Sequence, residues 1–157
     1  MILDMDDTTR FQYCQKLVIC RKNGSEVLLA KRQDEADYDG VYTFIGGKME
    51  TTDRGIIEGL LREKCEEIGT TARIRVCPGF SYNVHFVKKD GSAMIIPHYY
   101  AEYIEGAIVL SEEYSDYQWV LVSELAALEP KVANIPELLE WALRVKAIAK
   151  PADFVEI

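Results

Sequence analysis

Short apolar segments separated by turn signals follow one another along the chain, a pattern typical of a protein that is rich in β-strands. Apolar runs at 11–22 and 26–32 flank Asn23-Gly24, a dipeptide that favours a two-residue β-hairpin turn. Lys88–Ser92, with Asp90-Gly91 at its centre, predicts a second hairpin turn. Further strands are predicted at 41–45, 72–77, 80–87, 93–104, 107–110 and 117–122.

Two helical segments interrupt the strands. The first follows Thr51, Thr52 and Asp53, which are all favourable N-cap residues, and ends before Gly69, a typical C-terminal glycine. Its predicted apolar stripe consists of Ile57, Leu61, Cys65 and Ile68, with Leu60 beside it. The second is predicted at 135–149, with its inner side formed by Leu138, Leu139, Ala142, Val145 and Ile148. Residues 1–157 are therefore predicted to form one α/β or α+β domain with a mixed sheet, in which 1–9 are an exposed acidic arm.

Composition narrows the class of function. The chain has 157 residues, of which 48% are hydrophobic and 28% charged, and these are the proportions of a globular protein. With 18 Lys+Arg against 26 Asp+Glu, the net charge is −8, so the chain lacks the basic field that binding to a nucleic acid polymer requires. A polyphosphate substrate is compatible with this charge when a bound cation supplies the positive charge.

The cysteines and the start of the chain predict the compartment. Cys14, Cys20, Cys65 and Cys77 contain no C-x-x-C pair, and we interpret them as reduced thiols. The acidic start lacks the features of a signal peptide, and no apolar run reaches the roughly 18–20 residues that cross a bilayer. The sequence therefore predicts a soluble cytoplasmic protein without a membrane partner.

The most specific chemistry lies in the segment GGKMETTDRGIIEGLLREKCEEIG, at 46–69. At about 100° per residue, Glu63, Glu66 and Glu67 lie within about 100° of one another on the first helix, away from its apolar stripe. Three carboxylates at this spacing repel one another unless a cation binds them, and Mg²⁺ prefers such oxygen ligands. Arg62 is placed to hold these carboxylates through bidentate hydrogen bonds.

This segment resembles the Nudix box, G-x5-E-x7-R-E-U-x-E-E-x-G-U, in which U is a bulky apolar residue. The matching residues are Gly47, Arg62-Glu63, Glu66-Glu67 and Gly69, together with Glu50 shortly after the two glycines. The chain departs from the pattern in three respects. Asp53 occupies the place of the first Glu, eight residues rather than seven separate Asp53 from Arg62, and Lys64 and Thr70 stand at the two apolar positions.

The resemblance implies a Nudix-like α/β/α sandwich and a pyrophosphohydrolase that uses Mg²⁺ or Mn²⁺ to cleave a nucleoside diphosphate linked to a further group. It implies that Glu66 and Glu67 bind the metal, that Glu63 is a further ligand or the base, and that Arg62 orients these carboxylates. Gly46-Gly47 lets the backbone pass close by, so that the Gly46 carbonyl would complete the ligand set. A nucleoside triphosphate is favoured as the substrate because the compact chain shows no added domain for a large group.

Four residues outside the box are weaker candidates. In some members of the family the base comes from a loop after the box, where this chain has Glu112 and Glu113. Arg32, at the end of a predicted strand, is a candidate for holding substrate phosphates, and Tyr82 for stacking on a nucleobase. For His85 and His98, which lie in predicted strands, a structural role is favoured over a contact with phosphate.

Other interpretations stay open. A Nudix-fold protein that binds and senses a nucleotide without hydrolysing it is compatible with Asp53 and the longer loop. Asp4, Asp6 and Thr8 match the D-x-D-x-T motif of haloacid dehalogenase phosphatases, with Asp4 as the nucleophile, although only three residues precede it. Many relatives dimerise, so the sequence leaves a homodimer open as well.

Overall fold

A computed structural model describes residues 10–157, which form a single sheet and four helices. The strands are β1 (Gln12–Arg21), β2 (Glu26–Arg32), β3 (Tyr42–Thr43), β4 (Ile45–Lys48), β5 (Arg73–Val76), β6 (Tyr82–Val87), β7 (Ala93–Glu105), β8 (Tyr114–Leu121) and β9 (Val155–Glu156). The helices are α1 (Ile56–Ile68), α2 (Ile135–Ile148) and two 3-10 helices, Val122–Ala127 and Pro151–Asp153. The acidic arm predicted at 1–9, with the Asp4 motif, lies outside the described residues.

β1 is the central strand of the mixed sheet. It runs parallel to β7 and antiparallel to both β2 and β4. β2 pairs with the end of β1, where Cys20 faces Val27, whereas β4 pairs with its beginning, where Cys14 faces Lys48. The second pairing gives the two glycines of β4 a defined place beside β1.

Successive residues of β1 point alternately into two hydrophobic cores. Every residue from Cys14 to Cys20 is buried because helices cover both faces of the sheet. The core under α2 includes Val18, Val27, Tyr100, Leu138 and Ala142. The core under α1 includes Leu17, Ile19, Ile45, Leu60 and Ile74. This arrangement confirms the predicted α/β/α sandwich with a mixed sheet.

Two simpler expectations concern the cysteines and the helices. All four cysteines are free, as predicted. No helix within 10–157 combines the length and the apolar character that spanning a membrane requires.

α1 begins later than the sequence predicts. Its first residue is Ile56, and Gly55 occupies the N-cap position without a capping side chain. The prediction that Thr51, Thr52 or Asp53 caps the helix is therefore wrong, and the Asp53 carboxylate instead accepts hydrogen bonds from the side chain of Arg62. The other end agrees with the prediction, because Gly69 follows the helix with φ +91°.

The apolar stripe predicted for α1 is only partly correct. Leu61 is 41% exposed, whereas Leu60 beside it is buried in the core. The buried residues of the helix are Gly59, Leu60, Glu63, Lys64, Glu67 and Ile68. Glu63 and Glu67, two of the three predicted carboxylates, therefore lie on the buried face of α1. The apolar spacing alone predicted a different buried face.

Two strand boundaries and one turn also differ from the predictions. Residues 107–110 form no strand, because the Val109 and Ser111 N–H groups donate to the last carbonyls of α1 instead. The next strand, β8, begins at Tyr114 rather than at 117. The β1–β2 hairpin is confirmed, although its turn occupies four residues, 22–25.

We expect Gly106→Ala to destabilise the fold strongly. Gly106 has φ +99°, and an added Cβ would lie 1.9 Å from the Thr71 carbonyl oxygen. Gly91 is the matched control, because it has φ +87° but open space around it, so Gly91→Ala reports the backbone strain alone. We expect losses of about 1 kcal/mol for Gly91→Ala and about 3 kcal/mol or more for Gly106→Ala, measured by urea unfolding. Equal losses in the two variants would contradict this packing.

Candidate functional site

A cleft of about 650 Å³ opens on the α2 side of the sheet, and the α1 carboxylates lie at one end of it. Its lining includes the apolar side chains Phe44, Val84, Phe86, Met94, Ile96 and Ile135. The loop at 33–40 and the β6–β7 hairpin meet across it. The rings of Tyr38 and Phe86 lie 5.4 Å apart, and the Lys89 N–H donates to Asp37 over 3.3 Å.

The guanidinium of Arg62 organises the carboxylate end of the cleft. Its Nε and Nη2 donate to the two Asp53 carboxylate oxygens over 2.9 and 2.8 Å, and Nη2 also donates to the Lys48 carbonyl over 2.9 Å. The Asp53 carboxylate further accepts the Glu50 N–H over 2.8 Å. These bonds, above all those from Arg62, lower the pKa of Asp53 to about 2. The shorter acid and the longer loop thus still produce a bidentate pair with Arg62.

Nη1 of the same guanidinium holds two of the helical carboxylates. It donates to Glu63 over 2.8 Å and to the two Glu66 oxygens over 3.3 and 3.2 Å. The Glu63 carboxylate is buried and lies directly against Gly47, where an added Cβ would be 2.1 Å from its Oε2. Burial raises the pKa of Glu63. Gly47 is therefore the residue that makes room for this carboxylate.

Glu67 points to a different neighbour. It is 5% exposed, and burial together with the nearby Glu113 raises its pKa to about 8, against a smaller opposing effect of Lys16. The Ser111 hydroxyl donates to it over 3.4 Å. Of the two loop carboxylates that the sequence offers as candidates for the base, Glu113 lines the cleft and Glu112 does not.

These residues fit a divalent cation. Glu67 and Glu113 are neighbouring carboxylates and Glu67 is buried, so the two repel each other unless a proton or a cation lies between them. All the ligand atoms offered here are oxygens, which Mg²⁺ prefers. Within 10–157 no three acidic, His or Cys side chains are already arranged as a metal cage, and Arg62 donates to two of these carboxylates, Glu63 and Glu66. Glu63, Glu66 and Glu67 are the side chains that would hold the ion, and Glu113 lies beside Glu67.

Gly46 lies beside these carboxylates, and its carbonyl has a protein partner. The ammonium group of Lys16, a buried residue of β1, donates to that carbonyl over 3.2 Å. Gly46 has φ +141°, and an added Cβ would lie 2.0 Å from the Gln15 carbonyl oxygen. No other residue type fits here, whether or not the carbonyl contacts a metal.

The two substrate-binding candidates, Arg32 and Tyr82, lie in different places relative to the cleft. Arg32 lines the cleft, where it pairs with Glu35 over 3.1 Å while its buried Nε has no partner within the described residues. Tyr82 does not line the cleft; its hydroxyl donates to Glu137 over 2.6 Å and its ring packs against Trp141. Tyr82 therefore cannot stack on a ligand in this cleft without leaving α2.

The cleft also contains Lys16 and His98, which face each other on β1 and β7. The sequence did not single out Lys16, and for His98 it favoured a structural role over a contact with phosphate. The available signal for Lys16 was its place in a predicted strand, directly before the apolar run 17–20. The His98 Nδ1 lies 3.0 Å from the Ile96 carbonyl and 3.2 Å from the Tyr82 carbonyl. Burial, and the charge of Lys16 in addition, lower the pKa of His98 to about 4.

This shift makes stability depend on pH. Above pH 6.5, the ordinary pKa of histidine, His98 is neutral in both the folded and the unfolded chain. Below that pH the unfolded chain binds a proton at His98 that the folded chain does not. We expect the free energy of unfolding to fall by roughly 2–3 kcal/mol between about pH 7 and pH 4.5 through this residue. Urea titrations of wild type and His98→Gln at both pH values measure it, because the fall should be smaller by that amount in the variant. An unchanged pH dependence would show that His98 is not buried in its neutral form.

Comparisons with known proteins place this geometry in context. No curated protein matches the chain significantly. The MutT protein from Methanosarcina mazei has a similar structure, with 25% identity, a TM-score of 0.70, and coverage of 88% of this chain and 96% of that one. A Caenorhabditis elegans Ap4A hydrolase has 19% identity and a TM-score of 0.71, with 87% and 98% of the two chains covered.

A third solved structure also has a similar fold. The NUDIX domain of Shewanella oneidensis NrtR, complexed with ADP ribose, has 17% identity, a TM-score of 0.68, and coverage of 92% of this chain and 93% of that one. A family model, the NUDIX domain, matches residues 15–142. Because this match extends from β1 into α2 and includes the whole carboxylate site, the protein belongs to the Nudix family, whose hydrolases act on phosphorus anhydrides.

Proposed function

We propose that this protein is a divalent-metal-dependent pyrophosphohydrolase that cleaves a diphosphate bond in a nucleotide, with a nucleoside triphosphate as the favoured substrate. The observation that supports this best is a cluster of acidic side chains at the end of a cleft large enough for a nucleotide, in which Arg62 holds Glu63 and Glu66 while Glu67 is buried beside Glu113. The ion is Mg²⁺ or Mn²⁺, because both accept such oxygen ligands.

Each residue of the site has a defined task in this proposal. Glu63, Glu66 and Glu67 bind the ion, and Arg62 orients the first two of them. Once bound, the ion would neutralise the diphosphate and make the attacking water more acidic. Glu113 accepts a proton from that water, the water oxygen bonds to phosphorus, and the bridging P–O bond breaks, so that the phosphate group on the other side of that bond leaves with the bonding electrons. Glu113 is preferred to Glu112 as this base because it is the one that lines the cleft beside Glu67.

The rest of the cleft supports a nucleotide as the ligand. Its polyphosphate would be held by cationic side chains that line the cleft, namely Lys16, Arg32, Lys48, Lys88 and Lys89. Its base would lie against the apolar wall that includes Phe44 and Phe86. The printed ligands and names of similar structures, ADP ribose in one and Ap4A hydrolase in another, agree with this substrate class.

Glu67→Gln should lower the metal-dependent hydrolysis of nucleotides by at least about 100-fold, because an amide is a poor ligand for the ion. Glu58→Gln on the same helix is the matched control, since Glu58 only pairs with Arg54 at the surface. Phosphate release with Mg²⁺ and a coupling phosphatase measures both variants across nucleoside triphosphates, nucleotide sugars and dinucleoside polyphosphates.

Two results of this assay would contradict the proposal. Equal activity of Glu67→Gln and wild type would show that the carboxylate site is not the reaction centre. Nucleotide binding without any metal-dependent turnover would instead support a sensor that does not hydrolyse its ligand.

Gly47→Ala should lower the same activity by about 100-fold while the protein still folds, because the new methyl group displaces the Glu63 carboxylate. Gly55→Ala is the matched control, since nothing lies within 4 Å of an added Cβ there. Activity assays are paired with circular dichroism to confirm folding. Full activity of Gly47→Ala would mean that the position of Glu63 does not matter to the reaction.

A further inference from the structure

The arrangement of hydrogen bonds around His98 fixes which ring nitrogen carries its proton. Both neighbours of Nδ1 are backbone carbonyls, of Ile96 at 3.0 Å and of Tyr82 at 3.2 Å. A carbonyl only accepts, so Nδ1 must be the protonated nitrogen. In the neutral ring the other nitrogen, Nε2, then carries a lone pair and can only accept. No hydrogen-bond partner for Nε2 occurs in the part of the chain that the structure describes.

The surroundings of the ring keep it neutral and direct it towards the cleft. His98 is 6% exposed, and the charged Lys16 faces it from β1, so that both burial and charge oppose protonation. The ring of Phe44 packs edge-on against it at 5.9 Å. Since Nδ1 is committed to the backbone and His98 lines the cleft, Nε2 is the polar atom of this ring that a ligand can reach.

A hydrogen-bond acceptor in this position disfavours the phosphates of the substrate as its partner and favours the base. A phosphate oxygen also carries only lone pairs, so it gains nothing from an unprotonated Nε2. The cleft walls that Phe44, Val84, Ile96 and Ile135 form are apolar and suit a flat ring, and Phe44 packs directly against His98. The group that fits both features is a heteroaromatic base with an N–H at its edge.

We infer that His98 is a specificity-determining residue, whose Nε2 accepts a hydrogen bond from a ring N–H or an exocyclic amino group of the substrate base. The inference rests on the proposed nucleotide substrate and narrows it to bases that present a donor at this position. A base without that donor would leave Nε2 buried and unpaired, which carries a desolvation cost.

Analogues that lack one donor at a time test this inference. Such pairs are ATP against purine riboside triphosphate, GTP against inosine triphosphate, and UTP against N3-methyluridine triphosphate. For one pair or more we expect wild type to prefer the parent nucleotide by about tenfold or more in kcat/KM. In His98→Phe, which keeps a flat ring but has no acceptor, the preference should shrink to about twofold or less. His85→Phe is the matched control, because His85 is exposed, does not line the cleft, and should leave the preference unchanged.

A second measurement needs no substitution and therefore does not depend on the folding of a variant. The chain has two histidines, so a long-range ¹H–¹⁵N spectrum resolves the nitrogens of each ring. We expect His98 of the free protein to be protonated at Nδ1 alone. Adding the preferred nucleotide without metal should shift the Nε2 resonance upfield, as accepting a hydrogen bond does, and leave His85 unchanged.

The outcomes separate this inference from the proposed function. Metal-dependent turnover with the same base preference in wild type and His98→Phe, or with no effect of removing any donor, overturns the assignment of His98 alone. A protonated Nε2 in the free protein also overturns it. Absence of metal-dependent turnover for every nucleotide overturns the proposed function, and this inference falls with it.

Discussion

The guanidinium of Arg62 is the interaction on which the site depends. It donates to the carboxylates of Asp53, Glu63 and Glu66 and to the Lys48 carbonyl, so a single side chain joins the loop after β4 to the helix α1. Asp53 above all raises the pKa of Arg62, and the group stays charged at any pH at which the protein folds. Without this charge the neighbouring carboxylates would repel one another, and the loop after β4 would no longer be bonded to α1.

The sheet supplies the second constraint, because it places two glycines where side chains cannot fit. The antiparallel pairing of β1 with β4 brings Gly46 against the β1 backbone and Gly47 against the Glu63 carboxylate. The same strand, β1, pairs in parallel with β7 and so brings Lys16 opposite His98. One strand therefore positions both ends of the cleft, the carboxylate end and the wall that would receive a base.

Local sequence patterns predicted most of the strands, the two α-helices and the position of Glu63, Glu66 and Glu67 on the first helix, because these depend on residues close together in the chain. They failed on the inner face of α1, where apolar spacing selected the exposed Leu61 while Glu63 and Glu67 are buried. Hydrophobic periodicity cannot recognise a buried face that carries charge for a purpose. The place of His98 in the cleft could not be predicted, because it depends on the pairing of β7 with β1 and β6, which is long-range in sequence.

The central claim, that these carboxylates bind a divalent cation, is tested most directly by titrating Mn²⁺ and following the free ion by electron paramagnetic resonance. Wild type should reduce the free signal, whereas a Glu63→Gln/Glu67→Gln double variant should leave it close to that of buffer. A Glu58→Gln/Glu124→Gln variant loses the same charge elsewhere and should bind Mn²⁺ as wild type does. Equal binding by wild type and the Glu63→Gln/Glu67→Gln variant would contradict the account.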